Sequence, residues 1–445
     1  MQERTIPSAD SVRNFKGPLP KVVDVVVIGA GVIGMATAYH LAKAGKSVLL
    51  CEKGVVAGEQ SSRNWGWIRQ QGRDPAELPI MMESIRIWES LGPETGEDLG
   101  FQRQGCLYLA DNEAELEKYS SWLETAKQHQ LDSRLIGRAE VDRMIAGAEG
   151  QWVGAIWTPG DGRGEPTIAV PRLARAVAQL GVSIQEDCAV RTLDIEGGRL
   201  VGVVTEKGRV ACQAAVLSGG AWSSSFLRNQ GIKLPQLTVR SSVARTNPAP
   251  DIYAGNGGAT GLAFRRRQDG GYTVALGDYS EHYIGPESFR EFRRFLPLLR
   301  SAMKEVKLRF GGSLGRFTAK TRWHGEEVTP FERTRVLDPV AAPEAVRRIK
   351  QRLEKRLPKL AEVGLAETWA GMIDVMPDAV PVIDRAPGLE NLVIATGFSG
   401  HGFGIGPGAG RVVADLVQGK PVGHDITRFR YQRFYDGSPI VTGPM

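Results

Sequence analysis

The chain has 445 residues, 42% of them hydrophobic and 24% charged, which allows two or three domains with a sizeable core and excludes a disordered, collagen-like or disulfide-dense chain. Lys and Arg number 56 against 50 Asp and Glu, a net charge of +6; this is too diffuse for the basic stripe of a nucleic-acid partner and suits a small anionic substrate. Four cysteines without a CxxC pair and six histidines without HxxxH argue against a disulfide framework and a metal site, and a reducing cytoplasm is the expected location.

In chain order, residues 1–21 are polar, carry Pro7, Pro18 and Pro20, lack the order of a secretory signal and read as a loose arm. A strand is predicted over 22–28, a β-branched run suited to a sheet covered on both faces. Gly29-Ala30-Gly31-Val32-Ile33-Gly34 follows directly, then a helix over 35–44 ended by Gly45, a second strand over 47–51, and Glu52. Gly29 permits the tight turn, Gly31 lets backbone approach a pyrophosphate, Gly34 lets helix pack on strand, and Glu52 accepts from ribose hydroxyls. Strand, turn, helix and acid together indicate dinucleotide binding, and the acid disfavours a 2′-phosphate. The fingerprint alone does not separate FAD from NAD.

Beyond Glu52 come Lys53, a glycine loop over 54–58, and Gln60-Ser61-Ser62-Arg63-Asn64-Trp65-Gly66-Trp67. This segment resembles the flavin-contacting stretch of the D-amino-acid oxidase and sarcosine oxidase superfamily. Further resemblances run through Gly160-Asp161-Gly162 with a helix over 170–180, through Cys188-Ala189-Val190-Arg191, and through Gly219-Gly220-Ala221-Trp222. The last is Thr396-Gly397-Phe398-Ser399-Gly400-His401-Gly402-Phe403-Gly404-Ile405. The order of these segments covers nearly the whole chain. Without the family, 392–396 reads as a buried strand, 397–410 as a glycine loop exposing backbone N–H groups, and 410–417 as a helix.

The resemblance implies an α/β protein: a Rossmann-like FAD-binding domain interleaved with an α+β substrate domain on a mostly antiparallel sheet. The FAD-binding domain is expected over 22–100, 151–235 and 366–423, the substrate domain over 101–150 and 236–365, and a tail over 424–445. A strand over 101–110, a helix over 113–128 and a strand over 271–277 fit the substrate portion. Residues 286–310 interleave Phe289, Phe292 and Phe295 with Arg290, Arg293, Arg294, Arg300, Lys304 and Lys307. A helix with a solvated basic face is favoured there over a membrane-lying segment, because Pro297 interrupts the stretch.

The same resemblance implies noncovalent FAD contacted by Gly29, Ala30, Gly31, Val32, Ile33, Gly34, Glu52, Lys53, Ser61, Ser62, Arg63, Asn64, Trp65, Gly66, Trp67, Val190, Gly219, Gly220, Trp222, Gly371, Gly400, His401, Gly402, Phe403, Gly404 and Ile405. Gly371 stands where some relatives carry a flavin-linked cysteine, and no histidine lies within 60–70. The implied reaction is oxidation of a carbon–nitrogen bond by hydride transfer to flavin, giving an imine that hydrolyses. An N-substituted glycine such as sarcosine or iminodiacetate leads the substrate classes, with oxygen or an electron carrier as acceptor. A D-amino-acid dehydrogenase passing electrons to quinone and a subunit of a larger amine oxidase complex are the alternatives.

The family's usual carboxylate-binding arginine and lysine are replaced by Ile373 and Gly404. The remaining basic candidates are Arg69, Arg265 with Arg266 and Arg267, and Arg322, since the guanidinium fork matches a carboxylate. His401 is the candidate base or flavin contact, and Tyr272 and Tyr279 are candidates for facing the substrate.

Overall fold

The computed structural model describes residues 5–302, 305–311 and 322–443. The apolar run becomes the strand Val22–Ile28, with Val26 and Val27 fully buried. Burial of such side chains is worth roughly 1.5–3 kcal/mol each. It pairs in parallel with Val48–Cys51 on one side and Gly208–Leu217 on the other. Ser183–Gln185 extends one edge, and Leu392–Thr396 aligns in parallel with the end of Gly208–Leu217. The antiparallel Val190–Glu196, Arg199–Thr205 and Val382–Arg385 bring this sheet to eight strands among the described residues. The helices Val32–Lys43, Pro166–Gln179 and Gly402–Val417 contribute to the core on one face.

The glycines from Gly402 onward differ from the expected loop: they are helical, because the helix Gly402–Val417 starts at the first of them. A Cβ at Gly406 would stand 2.6 Å from Val32 Cγ2, one at Gly408 2.5 Å from the Ile80 carbonyl oxygen, and one at Gly410 2.5 Å from Ala36 Cβ. Two neighbouring helices, Val32–Lys43 and Leu78–Thr95, therefore press onto a stripe where no side chain fits. Close packing outweighs the propensity cost of glycine in a helix, about 1 kcal/mol each.

A second, mostly antiparallel sheet of ten strands among the described residues is organised around Leu237–Thr246 paired with Leu365–Val375. Strand pairing crosses two of the expected boundaries. Gly154–Thr158, assigned by sequence to the FAD-binding portion, pairs with Cys106–Ala110 in this sheet, and Leu365–Val375 belongs to it almost whole. The expected strand over 101–110 is two strands, since Gln102–Arg103 joins Trp67–Ile68 and Gly162–Arg163 in a separate small sheet.

Neither end of the described chain is loose. Ile6 packs against Val243, Ala275 and Trp369, and Asn14 and Phe15 donate their N–H groups to Glu186. At the other end Phe429 is fully buried and Arg433 forms a bidentate pair with Asp378. Helix Pro286–Ala302 packs Phe295 and Leu298 against Val375, with Phe289 and Phe292 exposed; Lys304 lies outside the described residues. No helix among the described residues is long and apolar enough to cross a membrane.

Candidate functional site

Two cavities meet where the sheets face each other, and Gln60, Asn64, Gly400 and Phe403 line both. The first begins at the glycine turn. Gly29 has φ +103°, and a Cβ there would stand 2.6 Å from the Ser218 carbonyl oxygen, so the turn admits glycine alone. Gly34 is as constrained: its Cβ would fall 2.0 Å from the Gly29 oxygen. Gly31 caps helix Val32–Lys43 without a side chain of its own, the Val32 N–H donates to Ser61 Oγ at 2.9 Å, and the helix N-terminus with its partial positive charge lies at the cavity.

Glu52 lines the same cavity and accepts N–H bonds from Ala30 and Gly54, each at 2.9 Å. Its burial raises the carboxyl above its usual value. Lys53 lies 4.5 Å over the Trp222 ring, and both contact Glu59. Ala189, Val190, Phe226 and Phe331 supply apolar wall. A glycine turn, a helix terminus, an acid and an apolar slot fit the phosphates, ribose and adenine of FAD. At the junction the Gln60 Oε1 is buried without a partner among the described residues, as a polar atom that meets a ligand would be.

The second cavity, about 440 Å³, has chemically unlike ends. Phe289, Phe292, Phe295, Leu298 and Leu308 make an apolar wall, while Arg69, Arg73 and His401 bring polar groups. Met372 lines the first cavity and Ile373 the second, because successive residues of Leu365–Val375 face opposite sides.

The polar group is held from below by buried acids. Asp161 accepts the Gln70 and Gln71 N–H groups at 2.7 and 3.2 Å, which shapes the segment carrying Arg69 and Arg73; burial pushes its carboxyl up to about 6. Arg69 donates to the Gln71 carbonyl and lies 5.5 Å over the Tyr108 ring. Arg73 donates Nε to the Arg69 carbonyl at 3.3 Å, but its Nη1 is buried without a partner among the described residues. Burial and neighbouring Arg69 lower its guanidinium to about 9. Glu77, fully buried, lies 3.0 Å from His401 Nδ1, and His401 Nε2 is buried without a partner among the described residues. Burial and Arg73 push the imidazole down to about 4 against the opposing pull of Glu77, so it is neutral at pH 7.

Of the residues singled out in the sequence, Gly29, Gly31, Val32, Ile33, Glu52, Lys53, Ser61, Asn64, Val190, Gly219, Gly220, Trp222, Gly400, Gly402 and Phe403 line the first cavity. Arg63, Trp65, Trp67, Arg69 and His401 line the second. Others act behind the walls. Ala30 donates to Glu52, Ser62 bonds the Glu59 carbonyl, Gly371 abuts Gln60, the Gly404 carbonyl receives Ser84 and Trp88, and Ile405 lies in the core.

Two expected substrate contacts are corrected. Arg265 is buried in a pair with Glu165 at 2.7 Å and donates Nε to the Trp65 carbonyl, bracing the turn at Gly66, whose φ is +80°. Tyr272 is fully buried in the core that includes Ile349 and Leu353, and its hydroxyl accepts from Ile252 N at 3.0 Å. Tyr279 is likewise buried and bonds Glu281, Arg266 lies over the Tyr272 ring, Arg267 pairs with Asp269, and Arg322 is exposed. Sequence reasoning missed Arg73, Glu77 and the role of Phe289 and Phe292 as cavity wall. The pair Arg69 and Arg73, spaced by Gly72 and two glutamines, was the available signal for the first; Glu77 had none.

Residues 24–416 match the family model described as FAD dependent oxidoreductase. The chain is 33% identical to the L-amino acid deaminase from Proteus myxofaciens, whose structure was determined in complex with anthranilate, with a TM-score of 0.92 and 97% of each chain covered. It is 25% identical to the sarcosine oxidase subunit beta of Rhizobium meliloti, covering 95% of this chain and 91% of that one. Identity to the mitochondrial sarcosine dehydrogenase of Homo sapiens is also 25%, over 93% of this chain but 42% of that protein, so the chain spans less than half its length.

Proposed function

The chain belongs to the FAD dependent oxidoreductase family, and on that premise we propose that it oxidises the carbon–nitrogen bond of an amino acid bearing a carboxylate and an apolar side chain, primary or N-substituted. The product imine hydrolyses to an oxo acid and a free amine. The observation that carries this reading is the two-ended second cavity, cationic at Arg69 and Arg73 and apolar at Phe289, Phe292, Phe295 and Leu298, opening onto the glycine-built cradle. FAD, held there noncovalently, supplies the hydride-accepting chemistry when bound.

The chain's own residues do the rest. Arg73, with Nη1 unpartnered, takes the substrate carboxylate with Arg69 beside it; a buried charge-assisted pair of this kind is strong and directional. The aromatic and aliphatic wall takes the side chain. Sarcosine and iminodiacetate, the leading classes from sequence, leave that wall uncovered, whereas the names of the relatives span both L-amino acids and sarcosine. Anaerobic bleaching of the flavin by a panel of L-, D- and N-methyl amino acids tests the reading. Bleaching is expected with apolar amino acids and not with the corresponding amines lacking a carboxylate; no bleaching by any amine overturns it. The rate of reoxidation in air then separates oxygen from another acceptor.

A second reading has a specific basis. The Rhizobium relative that the chain matches along nearly its full length is named as a subunit. On this reading the chain holds FAD inside a larger assembly, and size-exclusion of the native protein from its own cells is expected to show partners.

A further inference from the structure

Glu77 and His401 lie far apart in sequence and meet at the polar end of the second cavity, 3.0 Å apart between Oε2 and Nδ1. Glu77 is fully buried and His401 is 5% exposed. A buried carboxylate needs compensation, which Glu77 receives from its hydrogen bond to the His401 ring and from the charges of Arg73 and Arg69. Burial pushes its carboxyl up, but His401, Arg73 and Arg69 more than offset this and hold it below its usual value. An ionised Glu77 can only accept at Nδ1, so it fixes the neutral imidazole in the tautomer with hydrogen on Nδ1 and a lone pair on Nε2. That Nε2 is buried and has no hydrogen-bond partner among the described residues. A buried acceptor left unmatched costs about 1–3 kcal/mol, and this one sits on a residue lining the cavity, beside Gly400 and Phe403 where the two cavities meet.

We propose that His401 Nε2 is the acceptor for the proton that an ammonium substrate must shed before oxidation, and that Glu77 is the positioning residue that holds it ready. This rests on the reading of the protein as an amine or amino-acid oxidoreductase. The substrate enters as an ammonium carboxylate; its N–H bond breaks, the proton passes to Nε2, and the nitrogen keeps the electron pair. The resulting imidazolium is stabilised by ionised Glu77, while the substrate carboxylate offsets the opposing charges of Arg73 and Arg69, the charged groups that bear on the ring besides Glu77. Loss of hydride from the adjacent carbon, to the flavin that the proposed function requires, would then leave the iminium, with its positive charge shared by nitrogen. Proton transfer by a positioned side chain contributes typically ~10²–10⁴-fold.

Anaerobic flavin reduction at saturating substrate, followed from pH 6 to 10, tests the chemistry. In the wild type the rate is expected to vary little over this range. In His401→Asn it is expected to rise about tenfold per pH unit toward the amine pKa, since only free amine then reacts, and to fall roughly 100-fold below wild type at pH 7. Glu77→Gln is expected to give an intermediate profile that converges on the wild type at pH 10. Profiles parallel to the wild type in both variants overturn the proposal while leaving amine oxidation standing; failure of the wild-type flavin to bleach instead removes the functional reading beneath it. A readout independent of turnover is the long-range ¹H–¹⁵N spectrum of histidine-labelled holoprotein, with His401 assigned by its loss in His401→Asn. An Nδ1-protonated neutral ring at pH 7 that changes tautomer in Glu77→Gln is expected. An Nε2-protonated ring in the wild type overturns the proposal.

Discussion

The two cavities are built from different materials. The first is organised on a local glycine turn: Gly29, Gly31 and Gly34 with the buried start of helix Val32–Lys43 lie within a dozen residues of sequence, and Glu52, Val190, Trp222, Phe331 and Phe403 complete its wall. The second is shaped by side chains from distant segments: Arg73 from a loop, Phe292 from Pro286–Ala302 and His401, backed by buried Glu77, from the far end of the chain. A site made of local backbone tolerates no new Cβ, whereas a site made of side chains is altered one group at a time.

The sharpest break of the first cavity is Gly34→Val. Its Cβ has no room against the Gly29 oxygen, so a loss of at least about 3 kcal/mol in urea unfolding and a flavin-free product are expected. If the variant retained FAD at the wild-type ratio, the cradle would be more compliant than its contacts indicate. In the second cavity, Arg73→Ala is expected to raise KM for carboxylate substrates roughly 100-fold with a smaller change in kcat, as loss of uniform binding requires. An equal change from Arg69→Ala alone, with Arg73→Ala neutral, would transfer the carboxylate to Arg69.

A pH experiment probes the same end. The folded His401 pKa of about 4 lies below the ordinary value of 6.5, so between these limits the unfolded state binds the proton that the native state refuses. The stability associated with the neutral ring is present above pH 6.5 and is lost as pH falls toward 4, amounting to about 3 kcal/mol in total. The difference between wild type and His401→Asn in urea midpoints at pH 4.5 and 7.5 is expected to show that slope. Smallest of all is Tyr272→Phe: its hydroxyl ties the Ile252 and Tyr253 backbone outside both cavities. About 1–2 kcal/mol of stability should go, with kcat/KM unchanged; a fall in kcat/KM would reconnect this core tyrosine to the site.

Reading the sequence reached as far as periodicity and local turns reach. The strand 22–28, the helix 113–128 and the strand 392–396 stand as expected, and the glycine turn and Glu52 line the first cavity, because each is decided by neighbours within a few positions. Tyr272 and Arg265 misled because alternation along a strand says that two faces exist without saying which one meets the cavity. The glycines after Gly402 misled in another way. Their propensity argues for a loop, but helices Val32–Lys43 and Leu78–Thr95 approach so closely that only a helix of glycines fits between them.

The sequence by itself determined the dinucleotide cradle, the family resemblance and the absence of the usual carboxylate clamp at Ile373 and Gly404, since these rest on residues adjacent in the chain. Tertiary structure alone decided which charged groups share one buried space. Glu77 meets His401 across 324 positions, Arg265 turns away to Glu165, and Arg73 Nη1 has no partner among the described residues at a cavity walled by Phe289 and Phe292. The physical reason is that a buried charge is defined by its partner, and partners are chosen by packing between elements that no local pattern connects.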